Sequence, residues 1–172
     1  MKSKNFSHAY SIALVAMYAS MVFATKTMIA FIPNVEVTTL LLSFSVIIFN
    51  YWKALLITIV FCTLDVLMWG FGTWYITYLI LWPTLITMIF ILRKTKTLNW
   101  FTFVLINTLF GFMFGTLDAT VNLIFFDWSV FYAYWIKGLI FDVIHGCSNF
   151  LVAYFLYKPI YNVYRNDLAR YL

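Results

Sequence analysis

Residues 137–149 read KGLIFDVIHGCSN and lie within the last long apolar segment of the chain. Asp142, His145 and Asn149 recur at spacings of three and four, so on a helix they share one face. The residues around them are too apolar for that face to be a water-exposed stripe. Inside a bilayer, an Asp and a His are costly and call for an explanation.

The rest of the chain bears out that environment. Of 172 residues, 65% are hydrophobic and 10% charged, with a mean hydropathy of +0.93. A soluble domain carries about 45–50% apolar and about 25% charged residues. Composition therefore predicts an all-α integral membrane protein forming one domain over residues 1–172, with no room for a soluble domain. The net charge of +5 does not point to nucleic acid, because the basic residues sit at segment ends and mark topology. Cys62 and Cys147 both fall inside apolar runs, which suits inert helix residues better than a disulfide or a metal pair. CxxC, HExxH, Walker A and GxGxxG patterns are missing, so no metal, cofactor or ATP site of its own is expected.

A bilayer core about 30 Å thick needs roughly 20 apolar residues per helix. Six spans are expected, at about 8–30, 36–50, 53–72, 74–92, 100–125 and 133–157. The second is short and is expected to begin or end as a partly embedded loop. Breaks fall at Pro33-Asn34, Asn50 to Lys53, Gly70-Phe71-Gly72, Arg93 to Asn99 and Phe126 to Ser129. With both termini inside, Lys2, Lys4, Lys53, Arg93, Lys94, Lys96, Lys158, Arg165 and Arg170 are inner, against Lys26 and Lys137 outside. That asymmetry predicts an N-in, C-in six-helix bundle. A cleaved signal peptide over residues 1–30 is the competing reading, opposed by the lack of a small-residue cleavage site and by Tyr10, Tyr18 and Lys26.

In this topology Lys26, Asp65 with Trp69, Asp118 with Asn122, Trp74 with Tyr78, and Lys137 with Asp142 and His145 all fall toward the outer halves of their spans. An outward-open polar pocket is the simplest account, with Asn149 near its floor. Each member has a plainer alternative. Asp118 and Asn122 can hydrogen-bond to span six, Asp142 can pair with Lys137 or His145, and aromatic belts alone would put Trp69, Trp74, Trp82, Trp128 and Trp135 near span ends. A lone interior histidine is more often satisfied than functional. Ala9, Ala13, Ala16, Ser20 and Ala24 draw a small-residue ridge along the first span, fit either for packing inside the bundle or for docking on a separate membrane protein. Gly111 and Gly115 form a GxxxG read as internal packing. No residues form a recognisable hydrolase or acyltransferase constellation, so an enzyme is not expected. Asp65, Asp118, Asp142 and His145 can relay protons, which keeps a stand-alone proton-coupled carrier as the alternative function, although no internal repeat is present.

The alanine-rich first helix, followed by Phe31-Ile32-Pro33-Asn34-Val35-Glu36 and the IPNVEVTTLLL stretch at 32–42, resembles the substrate-binding S components of energy-coupling factor (ECF) vitamin transporters. The resemblance implies a bacterial plasma-membrane subunit that captures a small water-soluble vitamin at the outer face. It implies as partners a membrane T component and two ATPases, which hydrolyse ATP on its behalf. Ala9, Ala13, Ala16 and Ser20 would then meet the T component. Loops at about 27–36 and 70–76 would gate the site, and spans four to six would line it. Asn34, Glu36, Asp65, Trp69, Trp74, Tyr78, Asp118, Asn122, Lys137, Asp142, His145 and Asn149 are the expected substrate-binding residues. Aromatic rings with Asp, Asn and His favour a small polar heteroaromatic such as hydroxymethylpyrimidine or pyridoxine. Pantothenate is the close rival, with Lys26 or Lys137 as counter-charge.

Overall fold

The structure, a computed structural model, describes residues 2–33 and 35–169, with side chains from His8 onward. Six α-helices follow one another: α1 Lys2–Ile29, α2 Thr38–Ile48, α3 Tyr51–Trp69, α4 Thr73–Lys94, α5 Trp100–Asn122 and α6 Trp128–Val163, the last running into a π-helical turn at Tyr164–Leu168. Among the described residues there is no strand. All the helices except α2 contain a stretch long and apolar enough to cross a membrane. Large side chains such as Ile12, Met17, Leu67, Phe101, Ile136 and Phe155 face outward with more than half their area exposed. Such a surface suits lipid and not water, and the protein is a multi-pass membrane protein.

Local chemistry sets the helix ends. Asn50 caps α3 by accepting from the Lys53 N–H at 3.0 Å. Asn99 and Thr102 form a capping box at the start of α5, with bonds of 3.1 and 2.9 Å. Asp127 opens α6 by accepting from the Ser129 and Val130 N–H groups at 2.9 and 3.1 Å. Its carboxyl is held below the usual range, first by the Ser129 hydroxyl and then by the Val130 N–H. Gly70, at φ +82°, ends α3 in a conformation that favours glycine. These caps correct two expected boundaries: α6 starts at Trp128 and not near 133, and α3 stops at Trp69 and not at 72.

The shortest helix is the centre. TTLLLSFSVII at α2 has no charged residue, and every residue from Thr38 to Ile47 is buried. The other helices pack in the order α1, α3, α4, α5, α6, each against the next, and all touch α2. At 11 residues α2 is about 16 Å long, roughly half a bilayer core. Residues 30–33 and 35–37 belong to the irregular connection between α1 and α2. Backbone of that kind persists at membrane depth only where it is buried in protein or lines a cavity.

Small residues let α5 and α6 approach closely. A Cβ on Gly111 would lie 2.9 Å from the Gly146 Cα and the His145 carbonyl, and one on Gly115 would lie 2.5 Å from Asp142 Oδ1. The GxxxG thus packs within the bundle. The ridge of α1 does not: Ala9, Ala13, Ala16, Ser20 and Ala24 are exposed, while Val15, Ala19 and Val22 on the opposite side enter the core.

Candidate functional site

Glu36 stands where the α1–α2 connection meets α2, and three bonds fix it. Its Oε1 lies 2.9 Å from His145 Nε2 on α6 and accepts from the Thr39 hydroxyl at 2.9 Å, while its N–H donates to Ser148 Oγ at 3.4 Å. His145 and Ser148 are one turn apart on α6, so that helix grips both the side chain and the backbone of the connection. The end of the connection is thereby tied to the middle of α6.

Beneath the connection is a cavity of about 220 Å3, lined by Ala30, Ile32, Pro33, Val35 and Glu36 above and by Lys26, Tyr78, Phe114 and His145 around it. Lys26 pairs with Asp65, whose side chain is fully buried, and its ammonium also lies 5.1 Å from the Tyr78 ring centre. Tyr78 packs edge-on against Trp74 and Trp82, and the Phe114 ring lies 5.1 Å from the His145 ring. The walls therefore offer Lys26, which is paired with Asp65, the Glu36–His145 contact and two aromatic rings. Glu36 keeps 14% of its side chain exposed and Lys26 21%, so a ligand can reach both. The volume falls below the range of about 300–1,000 Å3 typical of ligand pockets. It suits one small ring, not a large multi-ring molecule.

The other expected site residues divide among neighbouring clefts. Trp69, Trp74 and Tyr78 line one of about 290 Å3 that shares Lys26 and Ala30 with the first cavity. Asp118, Lys137 and Asp142 line one of about 370 Å3 beyond Phe114, which separates it from the first. Asn122 joins Trp74 and Asp118 in another, at the ends of α4 and α5. Asp118 is held by the Thr77 hydroxyl at 2.6 Å, the Tyr134 hydroxyl at 2.7 Å and the Asn122 amide at 3.0 Å. Asn149, 2% exposed, donates to Thr39 Oγ1 and to the Asn107 carbonyl, each at 3.2 Å, and ties α6 to α2 and α5. Asn34 lies outside the described residues.

Asp142 departs from the expected ion pair with Lys137 or His145. Its oxygens accept from the Gly115 N–H at 2.5 Å, the Thr116 N–H at 3.0 Å and the Thr116 hydroxyl at 3.1 Å. The missing side chain at Gly115 exposes that stretch of α5 backbone to the carboxylate. His145 turns to Glu36, and Lys137 is exposed with no ion pair among the described residues. The shared face of α6 is real, since Asp142, His145 and Asn149 are all buried, but each serves a different neighbour.

Sequence reasoning passed over Thr39, Ser148, Phe114, Thr77 and Tyr134. Ser148 follows His145 by three residues, a spacing that marks it as a helix neighbour, and Thr39 follows Glu36 by three just inside the start of α2. Phe114, Thr77 and Tyr134 carried no local signal among so many aromatic and hydroxyl residues.

No protein-family model, curated protein or solved structure matches the chain.

Proposed function

We propose that this protein is the substrate-binding S component of an ECF-type vitamin importer in a bacterial plasma membrane, oriented N-in and C-in. The observation that carries the reading is the α1–α2 connection, tied to α6 by the Glu36–His145 contact and lining a small polar cavity. A vitamin enters at the outer end and is enclosed by Ala30, Ile32, Pro33, Val35 and Glu36. The ring of a hydroxymethylpyrimidine or pyridoxine stacks against Tyr78 and Phe114, and its amino or hydroxyl groups meet Glu36, His145 and Lys26. Pantothenate is the rival ligand, its carboxylate meeting Lys26. The exposed ridge of α1 supports docking on a T component, because its small residues are unused within the bundle. ATP hydrolysis belongs to two partner ATPases, and the chain itself is not an enzyme.

Co-purification with a T component and two ATPases, together with vitamin binding by the isolated chain, is the expected result. The Lys26–Asp65 and Glu36–His145 pairs also supply titratable groups inside the membrane, which favours a proton-coupled carrier as the second reading. Uptake by vesicles holding this chain alone, driven by a pH gradient without ATP, would establish that reading and overturn the first.

A further inference from the structure

At the α2 C-terminal end of the bundle, away from the roofed cavity, a cleft of about 250 Å3 is lined by Ile47, Arg93, Leu98, Tyr157, Tyr161 and Tyr164. Arg93 ends α4 and donates through Nη1 to two carbonyls at the end of α2, those of Val46 and Phe49. The guanidinium thus closes the negative end of a buried helix. That role occupies one nitrogen. Nε and Nη2 make no hydrogen bond among the described residues, and together they form an edge matched to two oxygens of one anion.

The opposite wall supplies hydroxyls. Tyr157 and Tyr161, one turn apart on α6, stack with their rings parallel and 5.6 Å between centres, and Tyr164 follows at 6.3 Å where the π-helical turn begins. No carboxylate lines the cleft. Lys53, Lys94, Lys96, Lys158 and Arg165 belong to the helix ends and connections at this same end of the bundle. In the roofed cavity Lys26 is paired with Asp65 and Glu36 faces His145, whereas this cleft combines a guanidinium with phenol groups in a basic setting.

We propose that this cleft binds a phosphate group, carried on a membrane phospholipid or free in solution. Arg93 receives two phosphate oxygens through Nε and Nη2, and the tyrosine hydroxyls donate to the others. Binding would brace α2 against α4 and α6, since the same guanidinium holds the α2 carbonyls.

The test uses the full chain in nanodiscs containing phosphatidylglycerol and diacylglycerol, which differ in the phosphate, with retained lipid read by native mass spectrometry. Retention of phosphatidylglycerol is expected to exceed that of diacylglycerol by about tenfold. Arg93→Lys keeps a donor for α2 but loses the two-nitrogen edge and should abolish the preference. A Tyr161→Phe, Tyr164→Phe double variant leaves Arg93 on α2 and should weaken the preference while the chain stays folded. Displacement of the lipid by millimolar inorganic phosphate would identify free phosphate as a ligand, and retention would identify the lipid-borne group. Equal retention of the two lipids by the parent chain, or a preference unchanged in both variants, would overturn the proposal.

Discussion

His145 Nε2 on α6 lies 2.9 Å from Glu36 Oε1 in the α1–α2 connection, 109 residues away in sequence. This contact joins an irregular stretch of chain to the longest helix of the bundle, with the candidate ligand cavity between them. Thr39 and Ser148 add a hydrogen bond each to Glu36, so the contact is one of a group.

Loosening the roof should be measurable. Glu36→Gln keeps the shape but removes the charge facing His145, and His145→Ala removes the partner altogether. Amide hydrogen exchange in residues 30–37 should rise in both variants, with His145→Ala the larger. Exchange in α3 and α4 should stay unchanged. Unaltered exchange at 30–37 in His145→Ala would mean that other contacts hold the connection.

The α5–α6 seam should resist any added volume. A Cβ on Gly115 would sit 2.5 Å from Asp142 Oδ1, and one on Gly111 would press on the backbone of Gly146 and His145. Overpacking of a well-filled interior costs about 1–3 kcal/mol, so Gly111→Ala and Gly115→Ala should each lower the thermal midpoint in detergent. The backbone obstruction at Gly111 makes it the less tolerant position. A midpoint equal to that of the parent for both would show that the seam has room.

Asp142 should behave as a clamp and not as a ligand contact. Its oxygens are taken by Gly115 and Thr116, so Asp142→Ala leaves two α5 backbone N–H groups without that acceptor. Loss of such a partner costs about 1–3 kcal/mol, and the expected result is a lower unfolding midpoint with vitamin affinity changed less than about threefold. A large affinity loss without loss of stability would move Asp142 into the binding site.

Much of this arrangement is legible in the chain. The apolar runs, the capping residues at Asn50, Asn99 and Asp127, and the glycine at position 70 mark helices and breaks through local chemistry. The small-residue ridge on α1 and the shared α6 face of Asp142, His145 and Asn149 follow from helical spacing. Sequence spacing does not say which neighbour each residue meets. Asp142 turns to α5 because Gly115 lacks a side chain, and Glu36 meets His145 from the connection just ahead of α2. Both outcomes depend on contacts between segments far apart in sequence. The central position of α2 is equally non-local, although its lack of any charged residue is the trace that burial leaves.

If the exposed ridge on α1 is the proposed docking surface, substitutions there should affect docking but not folding. Ala13→Trp and Ala16→Trp place bulk on the outer side of α1, opposite Val15, Ala19 and Val22. Both variants should fold and bind vitamin as the parent does, yet fail to co-purify with a T component. A collapse of the fold would mean that the ridge is needed within the bundle.

The most direct test of the roofed cavity is calorimetric titration of the purified chain with hydroxymethylpyrimidine, pyridoxine and pantothenate, repeated with Glu36→Ala and Tyr78→Ala. One of the three ligands should bind the parent chain at a single site, with affinity reduced at least tenfold in each variant, a change of about 1.4 kcal/mol or more. Absence of binding to all three, or equal affinity in the parent and both variants, would contradict the assignment of that cavity to vitamin capture.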